Sequence, residues 1–156
     1  MTTSIAQDQT FRLLATALTQ AARAYRAGAD KVAADYGLSE ATGLPVLLLG
    51  RFGAPGVRPG VLAEALGLEP SSLVRVVDQL IDTGLVLRHD DPVDRRAKIL
   101  NLSEEGRQIA SQMETALLPF RQSVFGAFAP ADIDACLRVL SALPQALLQR
   151  HDDPAA

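Results

Sequence analysis

Tryptophan is absent from this sequence, and aromatics as a whole reach only 4% of it. A β-sandwich built on large flat side chains is therefore disfavoured, and the alanine- and leucine-rich apolar fraction of 48% points to interlocking helices. The lone cysteine, Cys136, has no intrachain partner for a disulfide, which fits a reducing cytoplasm. The two histidines, His89 and His151, supply no Ser/His/Asp or Cys/His arrangement, so catalysis is not expected, and no motif calls for a cofactor. The apolar run at 45–49 is far too short to cross a bilayer, and the first ten residues lack the basic segment and apolar core of a secretory signal. Positive charge is also in short supply. A net charge of −3 argues against general coating of nucleic acid, because non-specific affinity comes from neutralising phosphates. Any DNA binding must depend on where a few cations sit.

What remains is a chain of 156 residues, enough for a single domain with its own core. Phe11, Leu14, Leu18, Ala22, Tyr25, Ala29 and Val32 recur at spacings of three and four, predicting an amphipathic helix over 9–36 that Gly37 ends. Ser39 can cap a second helix reaching about Phe52, with a kink or a late start at Pro45. The glycine- and proline-rich stretch 53–60 is a loop. Short helices over 61–66 and 70–83 follow, then two apolar runs, 85–87 and 97–102, bridged by a charged segment that reads as a β-hairpin with a long tip. Ser103 opens a further helix, bent at Pro119, and a last one after Pro130 carries Ile133, Leu137, Leu140, Leu143 and Leu147 as its apolar face, with a second bend at Pro144. The tail from His151 is expected to fray. The predicted fold is mainly α with a small β-hairpin.

The middle of the chain carries the chemistry. Two helices crossing over a three-residue turn need a small residue at their contact, a glycine in the turn and apolar residues toward a shared core. Ala63, Gly67 and the set Leu62, Leu66, Leu68, Leu73 and Val76 meet those needs. In the second helix Leu73, Val76, Val77, Leu80 and Ile81 form the buried stripe, which leaves Ser71, Ser72, Arg75 and Gln79 outward. Arginine can pair with guanine and glutamine with adenine across a major groove, while serine serves bases or phosphates. The hairpin tip brings Arg88, Asp94, Arg95, Arg96 and Lys98, and adjacent arginines on a loop suit a narrow, electronegative minor groove. A solvated helix face and a charged, solubilising turn are the plainer alternatives. Between residues 58 and 98 acids outnumber cations, so the DNA reading requires the arginines to cluster with several acids turned away.

The stretch LAEALGLEPSSLVRVVDQLIDTGLVLRHDDPVDRRAKILNLSEEGRQI resembles the MarR family of bacterial transcription regulators, most specifically at Asp94-Arg95-Arg96, Leu100, Leu102-Ser103 and Gly106. The resemblance implies a winged helix-turn-helix lobe over 53–102 and a helical dimerisation region over 9–36 and 103–150. It further implies a homodimer on duplex DNA, a pseudo-palindromic operator, Arg96 probing the minor groove, and Asp94 and Arg95 shaping the wing or holding phosphate. Such proteins mostly repress promoters and leave DNA on binding small, often aromatic or anionic, effectors. Glu69 stands where the family often has a better N-cap and Val74 where it often has threonine, so base readout leans on Ser71, Ser72, Arg75 and Gln79.

Tyr25 and Arg51 are candidates for an effector pocket, one to stack and one to meet a carboxylate, with a core tyrosine and a surface arginine as the plainer readings. Cys136 reads as core packing and His89 as a wing residue rather than a metal ligand. A winged-helix module that docks a protein partner is the alternative function.

Overall fold

The structure, a computed structural model, describes residues 5–152. Among them six helices and one antiparallel hairpin run in the order α1 (Ile5–Ala34), α2 (Glu40–Phe52), α3 (Pro59–Leu66), α4 (Pro70–Asp82), β1 (Val86–Asp90), β2 (Lys98–Leu102), α5 (Glu104–Phe125) and α6 (Pro130–Asp152). The tail expected to fray is helical through Asp152, and 153–156 lie outside the described residues. No described helix is long and apolar enough to cross a membrane. The chain divides after Leu117 into two compact units, so α5 belongs in part to each.

In the first unit α2 lies at the centre, packed against α1, α3, α4 and β2. Its sequence is apolar on most sides, as a helix surrounded by others must be, and Pro45, Val46, Leu47 and Leu49 are buried. Of the kink or late start expected at Pro45, the late start does not occur, since α2 begins at Glu40 and the proline sits in its interior. Proline there leaves the Ala41 carbonyl without its helical donor, while the first turn is secured by Ser39 N–H donating to Thr42 Oγ1 at 2.8 Å. Leu62, Leu73, Leu80 and Leu100 complete the core, and each fully buried leucine contributes about 1.5–3 kcal/mol. Leu68, expected in that core, is exposed, and Val76 and Ile81 are only half-buried. Leu68 lies in the turn beyond the helix, where its side chain no longer follows the buried stripe.

The hairpin pairs Val86 with Leu102 and Asp90 with Lys98 at its two ends. Its first strand therefore runs past the apolar 85–87 into charged residues, because an exposed strand needs backbone pairing rather than burial. A third extended segment joins it, with Val57 N–H donating to Leu100 O at 3.1 Å and Leu100 N–H to Val57 O at 2.8 Å. Gly56 makes that approach possible, since a Cβ there would sit 2.5 Å from the Leu100 carbonyl oxygen. α5 opens as expected, with Ser103 Oγ accepting from Gly106 N–H at 3.0 Å.

Two faces read from sequence as packing stripes are open to solvent in the single chain. On α1 these are Phe11, Leu14 and Leu18, and on α6, in the second unit, Leu137, Leu140 and Leu147. Cys136, expected to be packed, is likewise exposed.

Candidate nucleic-acid interface

The turn between α3 and α4 is built as its composition requires. Gly67 takes the left-handed conformation, φ +64°, and Leu68 N–H reaches back to Ala63 O at 2.9 Å. Ala63 is buried at the helix contact. Glu69, in extended conformation, offers no side-chain cap to α4, so Pro70 at the first helical position supplies the start.

Leu73, Val77 and Leu80 turn α4 inward. Ser71, Arg75 and Gln79 then line one open groove with Val74, Asp78 and Asp82, as residues about one and two turns apart on a helix should. Ser72, expected with them, departs. One residue of rotation carries it about 100° around the helix, and together with Val76 it lines a cavity on another side.

Ion pairing decides what the surface charge can do. Arg58 pairs with Asp91 at 2.7 Å, Arg88 with Asp78 at 2.6 Å, and Lys98 with Asp90. Those three cations thus spend their charge inside the lobe. Arg75, Arg95 and Arg96 are exposed and, among the described residues, make no ion pair. Those pairs take up Asp78, Asp90 and Asp91, and among the cations between residues 58 and 98 they leave Arg75, Arg95 and Arg96 as the available positive charge.

The tip of the hairpin is a closed loop. Asp91 N–H donates to Ala97 O at 3.0 Å and Ala97 N–H to Asp94 O at 2.8 Å. Asp94 accepts from the Arg96 backbone N–H at 3.1 Å, with the Arg58 guanidinium 4.0 Å away. Asp91 is buried, and the Val93 N–H together with the Arg58 guanidinium holds its carboxyl below the usual carboxylate range. Sequence reasoning counted Arg58 and Asp91 only as charges. The Asp-Pro pair at the loop's start was the available signal for a side chain that folds back on its own backbone.

The cavity holding Ser72 measures about 560 Å³ and lies among α1, α2, α4 and α5, with Tyr25, Arg26, Asp30, Leu44, Ser72 and Met113 on its wall. Tyr25, one of the two residues proposed from sequence for an effector pocket, lines this cavity. Arg51 does not, because it lines a separate cavity of about 380 Å³ and its Nε donates to Glu114 at 2.6 Å. Arg26, missed in the sequence, is the cation on the larger cavity. Small residues at Ala22, Ala29 and Ala33 leave the space open, and their regular spacing reads from sequence as simple packing.

The model of the MarR family matches residues 46–97, the span from α2 to the wing tip. CouR from Rhodococcus jostii RHA1 bound to p-coumaroyl-CoA is 27% identical, with 83% of this chain and 90% of that chain covered at a TM-score of 0.76. The repressor CouR bound to a 23-mer DNA duplex is similar at 26% identity, 87% and 95% coverage and a TM-score of 0.73. Mutant MarR from E. coli complexed with operator DNA shares the fold, at 19% identity, 83% and 92% coverage and a TM-score of 0.72. The matched span is the one that forms the turn, the outward α4 face and the arginine-bearing wing, so over that lobe this chain is similar to the MarR family of transcription regulators and shares their winged helix-turn-helix fold.

Proposed function

We propose that the protein is a cytoplasmic, homodimeric repressor that holds a pseudo-palindromic DNA site and releases it when a small effector binds. The observation that carries this reading is the separation of charge, in which Arg58, Arg88 and Lys98 are neutralised by aspartates while Arg75, Arg95 and Arg96 stay available. Ser71, Arg75 and Gln79 would read base edges in the major groove, whereas Ser72, on the cavity side of the same helix, would face the effector. Arg95 and Arg96 would enter the minor groove or hold phosphate, Asp94 would shape the wing, and Arg88 and Lys98 would support its strands. The exposed apolar faces of α1 and α6 support a second copy as their cover. Two recognition helices would then lie about 34 Å apart, one turn of DNA.

The cavity beside Tyr25 and Arg26 suits a small aromatic or anionic effector, and the similarity to CouR, solved with p-coumaroyl-CoA and with DNA, supports both partners. Because Ser72 and Val76 belong to α4 and line that cavity, a ligand there has a direct contact with the reading helix. The test is a gel shift on the protein's own upstream region across a salt series, repeated with p-coumaroyl-CoA as probe. A sequence-preferring, salt-sensitive shift is expected. Its absence at micromolar protein would point instead to a winged-helix module that docks protein.

A further inference from the structure

The geometry points to Arg58 as the positioning residue of the wing, which acts on DNA recognition through Asp91 rather than by touching DNA. Arg58 stands just before α3 in extended conformation, adjoining Val57, whose backbone pairs with Leu100 of β2. From there its Nε and Nη2 both donate to Asp91 Oδ2, at 3.0 and 2.7 Å. The other carboxylate oxygen, Oδ1, accepts from Val93 N–H at 2.8 Å and Asp94 N–H at 3.4 Å.

The tip loop is thus referred to one residue, Asp91. Asp91 joins residue 97 through its backbone and residues 93 and 94 through its carboxylate. Asp94 in turn fixes the Arg96 backbone N–H. Asp91 is buried, and a buried carboxylate deprived of its cation is strongly disfavoured, so removing Arg58 should release the loop rather than leave it in place. Arg58 has Nε and Nη2 turned to Asp91, with Asp94 at 4.0 Å, which directs those donors to the loop. The wing arginines are the groups whose placement depends on this clasp.

This role rests on the reading that the wing binds DNA, and the experiment separates the two. A duplex selected by the wild-type protein from a random-sequence pool serves as probe, and affinity is read by fluorescence anisotropy. Asp91→Ala removes a negative charge from a DNA-facing lobe, so electrostatics alone demands tighter binding. The clasp demands the reverse. Arg58→Met and Asp91→Ala should each weaken binding about tenfold, the double variant should be no worse than either, and neither should add to Arg96→Ala. Arg58→Lys, which keeps the charge but not the paired donors, should recover part of the loss. In the free protein, amide exchange at Val93 should quicken by about tenfold in Arg58→Met, since its acceptor is no longer held. Tighter binding by Asp91→Ala, additive losses, or unchanged exchange at Val93 would each overturn the role. A wild-type protein that selects no duplex would overturn the DNA reading itself, and the wing role with it.

Discussion

Arg88 on β1 donates through Nη2 to Asp78 Oδ1 on α4 at 2.6 Å, which ties the wing to the helix that carries Arg75 and Gln79. Both partners are well exposed, so the pair contributes roughly 0–1 kcal/mol to stability. Its larger effect is on charge, because it holds an arginine at the lobe surface in a neutral couple.

Releasing that couple should therefore show in binding rather than in folding. Asp78→Asn leaves Arg88 uncompensated, and the salt dependence of binding to random duplex DNA should steepen by about one unit of log K per log salt, with the urea midpoint little changed. Anisotropy titrations at several salt concentrations read this directly.

Arg75 and Arg96 should fail in different ways. Arg75→Ala should relax base preference at one position by about 1–3 kcal/mol, measured by competition among duplexes that differ at single sites. Arg96→Ala should weaken all duplexes alike and lower the salt slope by about 1. Equal and negligible effects from the two would remove the division of labour between helix and wing.

Ser71 and Ser72 are adjacent in sequence yet line different hollows. Ser71→Ala should alter the sequence selected from a random pool, whereas Ser72→Ala should leave it largely intact and change instead the ligand concentration needed for release. A Ser72→Ala protein with the altered preference expected of Ser71→Ala would place that side chain on DNA.

Acid should loosen the wing clasp. Asp91's carboxyl is held below its ordinary value of 3.8 in the folded protein, so the unfolded chain binds the proton more readily and stability rises with pH through that range. The contribution is complete above 3.8 and is lost as pH falls through the lower folded value. Urea midpoints taken down this range should fall for the wild type, and Asp91→Ala should start lower and fall less.

Two glycines should differ in how they tolerate a methyl group. Gly67→Ala meets no atom within 4 Å and bears only the left-handed backbone, a cost of about 1–2 kcal/mol. Gly56→Ala adds to a positive φ a Cβ 2.5 Å from the Leu100 carbonyl oxygen, so its loss should exceed that of Gly67→Ala and should come with disturbed β2 resonances. Thermal unfolding and backbone NMR of the two variants provide the check.

The order of the elements, the turn and the hairpin were legible in the residues themselves. Local chemistry governs each of them. Gly67 supplies a left-handed φ, Pro70 and Ser103 start helices, and the stripe Leu73, Val77 and Leu80 orients α4, all within a few residues of chain. Pro45 escaped the same logic because its helix is buried on most sides, and packing there outweighed one missing hydrogen bond.

Tertiary structure alone decided which charges remain available. Arg58 and Asp91 are 33 positions apart and Arg51 and Glu114 63 apart, so no spacing rule joins them. The pairing of β2 with the Val57 segment brings Arg58 to the wing, while the packing of α2 beside α5 turns Arg51 away from the larger cavity. The same holds for Ser72, whose hydroxyl was expected to face DNA until the direction of α4's buried face fixed where each neighbouring side chain must point. Charge counted along the chain argued only against general coating of nucleic acid. Only the three-dimensional pairing of aspartates with Arg58, Arg88 and Lys98 separates the paired cations from Arg75, Arg95 and Arg96, because Coulomb energy depends on distance in space and not on distance in sequence.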